Sequence, residues 1–108
     1  MPPGPDVAAF LRRLAVAIEE ARVRFTWKAD DEVAELGWSD ADALLEIAAL
    51  TSVDLLRTEP SRSADFTLIW VFCPLASELD RYLWIRLAEE AIGTIVISFH
   101  LAERDPWT

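Results

Sequence analysis

The residues best suited to chemistry lie in two segments, 81–88 and 94–101, that alternate apolar and polar side chains. In the first, Leu83, Ile85 and Leu87 alternate with Tyr82, Trp84 and Arg86. In the second, Ile95, Ile97, Phe99 and Leu101 alternate with Thr94, Val96, Ser98 and His100. A period of two is that of a strand, so each segment puts its polar set on one face. The link at 89–93 suits an antiparallel hairpin. A register symmetric about that link sets His100 opposite Tyr82, Ser98 opposite Trp84 and Val96 opposite Arg86. Diagonal neighbours stay within reach of long side chains. One surface would then carry an imidazole, a phenol, an indole and a guanidinium.

Those groups suit the cleavage of RNA. The ribose 2′-hydroxyl must lose a proton, the leaving 5′-oxygen must gain one, and the crowded phosphoryl group needs a cation. Histidine is the side chain whose unperturbed pKa fits proton transfer near neutrality, and His100 is the only one in the chain. Arginine holds phosphate in a bidentate fork, and Trp or Tyr can stack a splayed base. Each residue also has a plainer role. A strand-end histidine is commonly a half-buried surface residue, and Tyr82 and Trp84 can simply pack. Arg86 can pair with Glu89, Glu90 or Asp80. Spacing alone leaves both readings open.

The rest of the chain must position that hairpin. Asp6 is a good N-cap, and Val7, Phe10, Leu11, Leu14 and Ile18 then form one stripe of an amphipathic helix to about residue 22. Residues 23–27 form a short extended link or an edge strand. A second helix is expected over 29–36, stopped by Gly37 in a left-handed conformation. Ser39 with Asp42 forms a capping box for a third, over 40–50, with Leu44, Leu45, Ile47, Ala48 and Leu50 on its buried side. Residues 52–56 form a short turn or helical end. The polar stretch 57–64, with Pro60, is a loop or the rim of a first strand. Residues 66–73 are apolar on both faces, as in a central strand, and Pro74 closes them. Helices first and an antiparallel sheet after them make an α+β fold, with the helices on the Leu/Ile/Phe face.

The bulk numbers set outer limits. At 108 residues there is room for one domain, expected over 6–108 behind a flexible Pro/Gly tail at 1–5. A hydrophobic fraction of 53% and a mean hydropathy of +0.20 exclude disorder as the main state. The net charge of −9 argues against a non-specific nucleic-acid binder. Yet residues 30–46 hold seven acids and no base, leaving only −2 for everything else. The acid is then a local helical feature, expected away from the hairpin face, where it could meet a basic partner. RNA stays open as a substrate.

One cysteine excludes an internal disulfide, and Cys73, before Pro74 in an apolar run, is expected as a buried structural thiol. With one His and one Cys, a metal would need carboxylates. The apolar stretch 68–79 is too short to span a bilayer, and no basic-then-apolar leader opens the sequence. A soluble cytoplasmic protein, off the membrane, is the expectation. No Gly-rich phosphate loop, serine elbow or internal repeat is found.

Several segments together resemble one family. They are Ala34-Glu35-Leu36-Gly37-Trp38, residues 47–50 leading to Asp54, and Phe66 with Ile69-Trp70-Val71-Phe72 and Pro74. Leu83-Trp84-Ile85-Arg86-Leu87 and Ile95-Val96-Ile97-Ser98-Phe99-His100 complete the set. In this order, from about residue 8 to 101, the chain resembles the motility quorum-sensing regulator (MqsR) family of toxins, the mRNA interferases of type II toxin–antitoxin systems. The resemblance implies a RelE-like fold of helices on a twisted antiparallel sheet. It also implies an endoribonuclease that cleaves mRNA without metal or cofactor. A cognate antitoxin protein would neutralise it, and the expected assembly is a homodimer or a toxin–antitoxin complex.

Carried over by position, the family's basic residue falls on Arg57, its penultimate-strand aromatic on Trp84 beside Arg86, and its proton-transfer or phosphate-binding position on His100. The catalytic set expected is therefore His100, Arg57 and Arg86, with Trp84, Tyr82 and Ser98 contacting substrate. Three positions depart from the family. Its lysine is Arg57 here, its tyrosine is Trp84 (with Tyr82 two residues earlier on the same face), and a polar residue after the central-strand Trp is Val71. Those departures keep a second expectation in view: a catalytically silent member of the fold, serving as the protein-binding half of a two-protein system.

Overall fold

The computed structural model describes residues 6–60, 66–76 and 79–107. The expected tail at 1–5 and residues 61–64 of the polar stretch lie outside them. Three helices, α1 (Val7–Glu19), α2 (Trp27–Glu35) and α3 (Asp40–Ala48), pack on one face of a sheet. Its strands are β1 (Val23–Phe25), β2 (Leu55–Pro60), β3 (Phe66–Phe72), β5 (Arg81–Glu90) and β6 (Ile95–Leu101), with a two-residue β4 (Leu75–Ala76) paired to β5. The strand order is β1-β6-β5-β3-β2. The molecule is α+β, as expected. Among the described residues no helix is long and apolar enough to cross a membrane.

Local sequence accounts for each helix. The Asp6 carboxylate accepts from the Ala9 amide at 3.0 Å, and Phe10, Leu14 and Ala17 turn inward from α1. Thr26 caps α2, and Gly37, at φ 76°, ends it. Ser39 and Asp42 form the reciprocal capping box of α3, with bonds of 3.1 and 2.9 Å. The first helix stops before residue 22 because Ala21 turns left-handed at φ 58°. The Arg22 amide then donates back to the Ala17 carbonyl at 2.7 Å, and the chain leaves as β1.

That exit corrects one expectation. The sheet is mixed: β1 runs parallel to β6, with Val23, Arg24 and Phe25 level with Ile95, Val96 and Ile97. The α1–β1 connection delivers the chain to the open edge of β6, which pairs with it in the direction it arrives. The remaining ladders are antiparallel. Leu55 and Leu56, expected in a turn or helical end, and residues 57–60, expected as a loop or the rim of a first strand, together form the edge strand β2.

The core lies between the helices and the Leu/Ile/Phe face. Phe10 stacks on Trp70 with ring centres 4.4 Å apart and planes 11° from parallel, and it also meets Phe72. Trp38 meets Phe99 edge-on at 6.1 Å. No charged side chain is buried among the described residues. The Trp70 indole N–H, enclosed by this packing, has no hydrogen-bond partner there; such an orphan typically costs about 1–3 kcal/mol. Outside the core, a bidentate ion pair from Arg13 to Glu89 (2.8 and 3.0 Å) ties α1 to the end of β5.

Two left-handed residues make opposite predictions. Ala21 adopts a conformation that glycine enters freely. Ala21→Gly should therefore stabilise the fold by about 0.5–1 kcal/mol, after allowance for the looser unfolded chain. Gly93 sits at φ 94°, and an added Cβ would lie 3.0 Å from the Arg22 guanidinium. Gly93→Ala should cost about 1–2 kcal/mol. Urea unfolding of both variants checks the signs.

Candidate functional site

The face of the sheet away from the helices carries the expected residues in rows. Antiparallel pairing aligns Arg57 on β2, Val71 on β3, Arg86 on β5 and Ser98 on β6. In the next row Trp84 lies directly opposite His100. The two rings stack with centres 6.0 Å apart and planes at 25°. The Arg57 guanidinium lies over the Trp84 ring at 5.2 Å. His100 itself is exposed. The structure thus brings together His100, Trp84 and Arg57, with Arg86 and Ser98 one row away.

The register differs by two residues from the symmetric one. The hairpin closes through a three-residue loop, 91–93: the Gly93 amide donates to the Glu90 carbonyl at 2.9 Å and the Glu90 amide to the Thr94 carbonyl at 2.8 Å. A left-handed glycine ending a turn of this kind is the usual route to such a loop. A shift of two preserves the faces and changes the partners. His100 therefore meets Trp84, Ser98 meets Arg86, and Val96 meets Ala88. Tyr82 moves one row beyond: its strand partner is Leu75, and its carbonyl accepts from the Ala102 amide. The phenol is not set opposite the imidazole.

Electrostatics on this face centre on Glu59. Its carboxylate accepts from Arg57 Nε at 2.8 Å and from Arg86 Nη2 at 2.7 Å. The partner of Arg86 is thus a distant glutamate on β2, and not Glu89, Glu90 or Asp80. Those two glutamates instead take Arg13 from α1 and Arg24 from β1. Glu59 holds both guanidiniums at one spacing and halves the charge they present. The arginines and Trp84 sit over Val71, which is completely buried although it points away from the core.

Two grooves flank His100. One, of about 530 Å³, is walled by Trp84, His100, Ala102 and the segment 103–106. That segment folds back over the sheet because Arg81 donates to the Ala102 carbonyl (2.7 Å) and the Trp107 indole donates to the Cys73 carbonyl (3.0 Å). The other, of about 430 Å³, is walled by Thr26, Lys28 and Glu32 on one side and by Arg86, Ser98 and His100 on the other. Lys28, Glu32 and residues 103–107 were not expected here. Glu32 corrects the placement of the whole acidic block away from this face, because α2 leaves β1 beside β6 and turns its first two turns towards it. The only local signal was Thr26, an N-cap directly after a short strand.

Cys73 is buried, as expected, one residue past β3. Burial pushes its thiol up to about 11, against a smaller opposing pull from the Arg57 charge. Among the described residues no group of three His, Cys, Asp or Glu gathers to hold a metal ion.

No family model matches the chain, and no curated protein is significantly similar to it.

The raised thiol pKa has a definite sign. The fold favours the neutral thiol, so its contribution to stability is complete below pH 9.0 and is lost as pH rises towards about 11. Cys73 should accordingly resist iodoacetamide at pH 8 in the native protein and react readily in urea. Mass spectrometry of both samples checks this; rapid native labelling would show that the thiol is neither buried nor neutral.

Proposed function

We propose that the chain is an endoribonuclease toxin with a RelE-like, MqsR-like fold, cleaving mRNA and held in check by a cognate antitoxin protein. The observation that carries this reading is the stacked Trp84–His100 pair under the Arg57 guanidinium, on an open sheet face with Arg86 in the adjoining row. His100 takes the 2′-hydroxyl proton or returns one to the leaving 5′-oxygen. Arg57 and Arg86, set at fixed spacing by Glu59, face the charge that grows on the phosphoryl oxygens. Trp84 holds the adjacent base or the imidazole plane. Ser98, beside Arg86, is placed to donate to a phosphate oxygen. No step calls on a metal or cofactor. Tyr82 has no catalytic part in this scheme, since its strand partner is Leu75.

A second reading has its own support. Both arginines are already engaged by Glu59, which lowers their pull on a phosphate. A protein that kept this fold as a silent, partner-binding module would look the same. Expression of the chain without a partner separates the two. The toxin reading expects growth arrest and new RNA 5′ ends at short sequence sites. His100→Ala should abolish both, with the melting temperature nearly unchanged because His100 is exposed. Full toxicity in that variant would remove His100 from the mechanism. Wild-type protein that neither slows growth nor cuts RNA would leave the silent module as the reading.

Glu59→Gln tests the electrostatics separately. Removing the shared carboxylate charge should raise affinity for single-stranded RNA and steepen its salt dependence. The measurement is fluorescence anisotropy at several salt concentrations.

A further inference from the structure

The strand β2 ends the sheet, and we infer that it pairs with the β2 of a second copy of the chain, antiparallel, about a two-fold axis at Thr58. Arg57 of each copy then faces the partner's Glu59. The inference gives the expected homodimer an interface. It stands apart from the RNA reading, since it needs no nucleic acid.

The backbone decides what this edge offers. Among the described residues β3 is the only strand that pairs with β2. At the end of β3 the Cys73 amide donates to the Asp54 carbonyl at 2.8 Å, and the Pro74 carbonyl accepts from the Leu83 amide at 2.9 Å. Backbone groups alternate sides along a strand, so odd positions of β3 bond towards β2 and even positions towards β5. Arg57 and Glu59, level with Val71 and Ile69, therefore spend their backbone groups on β3. Thr58, level with Trp70, turns its N–H and C=O to the open edge. Pro60, level with Leu68, falls on the same outward side, where a residue without an N–H costs the ladder nothing.

Charge then selects one partner and one register. Proline and charged side chains on an edge normally guard it against pairing. Here Arg57 and Glu59 flank Thr58 on the outer face, and the run Arg-Thr-Glu is self-complementary when two copies run antiparallel. An axis at Thr58 gives two backbone hydrogen bonds between the two Thr58 residues. It also sets Arg57 against the partner's Glu59 twice, at the positions where facing side chains come closest. An axis at Arg57 would oppose two guanidiniums, and one at Glu59 two carboxylates. An axis at Pro60 would find no amide to donate. None of this needs an idle carboxylate. Glu59 accepts from Arg57 Nε and from Arg86 Nη2, one on each oxygen. An ionised carboxylate has about four acceptor positions, so a further guanidinium fits beside both. Arg57 is bonded through Nε, and among the described residues its Nη groups make no hydrogen bond.

Sedimentation equilibrium of the full chain tests the pairing. A six-residue edge buries less than the roughly 1,200 Å² of a standard interface, so the dimer is a weak one. The average mass should rise from 12.2 kDa towards twice that value between about 1 and 200 µM. Arg57→Glu and Glu59→Arg should each stay monomeric, because like charges then face each other. An equimolar mixture of the two variants should dimerise again, since one copy supplies two carboxylates and the other two guanidiniums. Circular dichroism shows whether both are folded. Thr58→Cys gives an answer that does not depend on them. At a two-fold axis its Cα atoms lie about 5.5 Å apart, a separation that suits a disulfide. Under mild oxidation with copper phenanthroline it should cross-link about fivefold faster than Ala48→Cys, an exposed position on α3 that reports random collision.

A mass of 12.2 kDa at every concentration would overturn the inference. So would dimers that ignore both charge reversals, or a mixture of the folded variants that stays monomeric. Equal cross-linking at positions 58 and 48 would overturn it as well.

Discussion

The hairpin between β5 and β6 is closed by one left-handed glycine, and much of the molecule depends on that closure. Gly93 ends a three-residue loop whose two hydrogen bonds bring Glu90 and Thr94 together. The register that follows places Trp84 against His100 and Arg86 against Ser98. The same glycine carbonyl accepts from the Arg22 guanidinium, at the start of β1. One turn therefore sets the pairing of the candidate site and docks the edge strand from which α2 departs.

The two faces of the sheet solve different problems. On the inner face, Phe10 stacked on Trp70 joins α1 to the strands, and apolar burial drives the packing. On the outer face Val71 is just as buried, but under guanidiniums and an indole instead of a helix. Arginine stems and aromatic rings can cover apolar surface while their polar ends stay in water. The outer face thus remains open and charged without exposing the apolar strand beneath. Glu59 is central to this arrangement, since it joins two like charges that face each other across β3, from β2 and β5.

Much of this was legible in residue order. The caps at Asp6 and Ser39, the stop at Gly37 and the alternation of 81–88 and 94–101 all act within a few residues, so their physics is local. What could not be seen depended on distance along the chain. Glu59 reaches Arg86 across 27 positions, and Trp107 reaches Cys73 across 34. Neither pair has a period or spacing that marks it. The parallel seat of β1 beside β6 is of the same kind, because a three-residue strand says nothing about its neighbour.

For the charge of −9, sequence located the acid in residues 30–46, and tertiary structure decided which of it matters to the site: Glu32 lines a groove with His100. Sequence likewise determined the face on which Tyr82, Trp84, Arg86, Ser98 and His100 lie, because side chains alternate with a period of two. Only the fold decided which of them meet. A two-residue shift leaves every side chain on its face and changes every partner, and the energy that selects it comes from a turn and from packing far from the residues themselves.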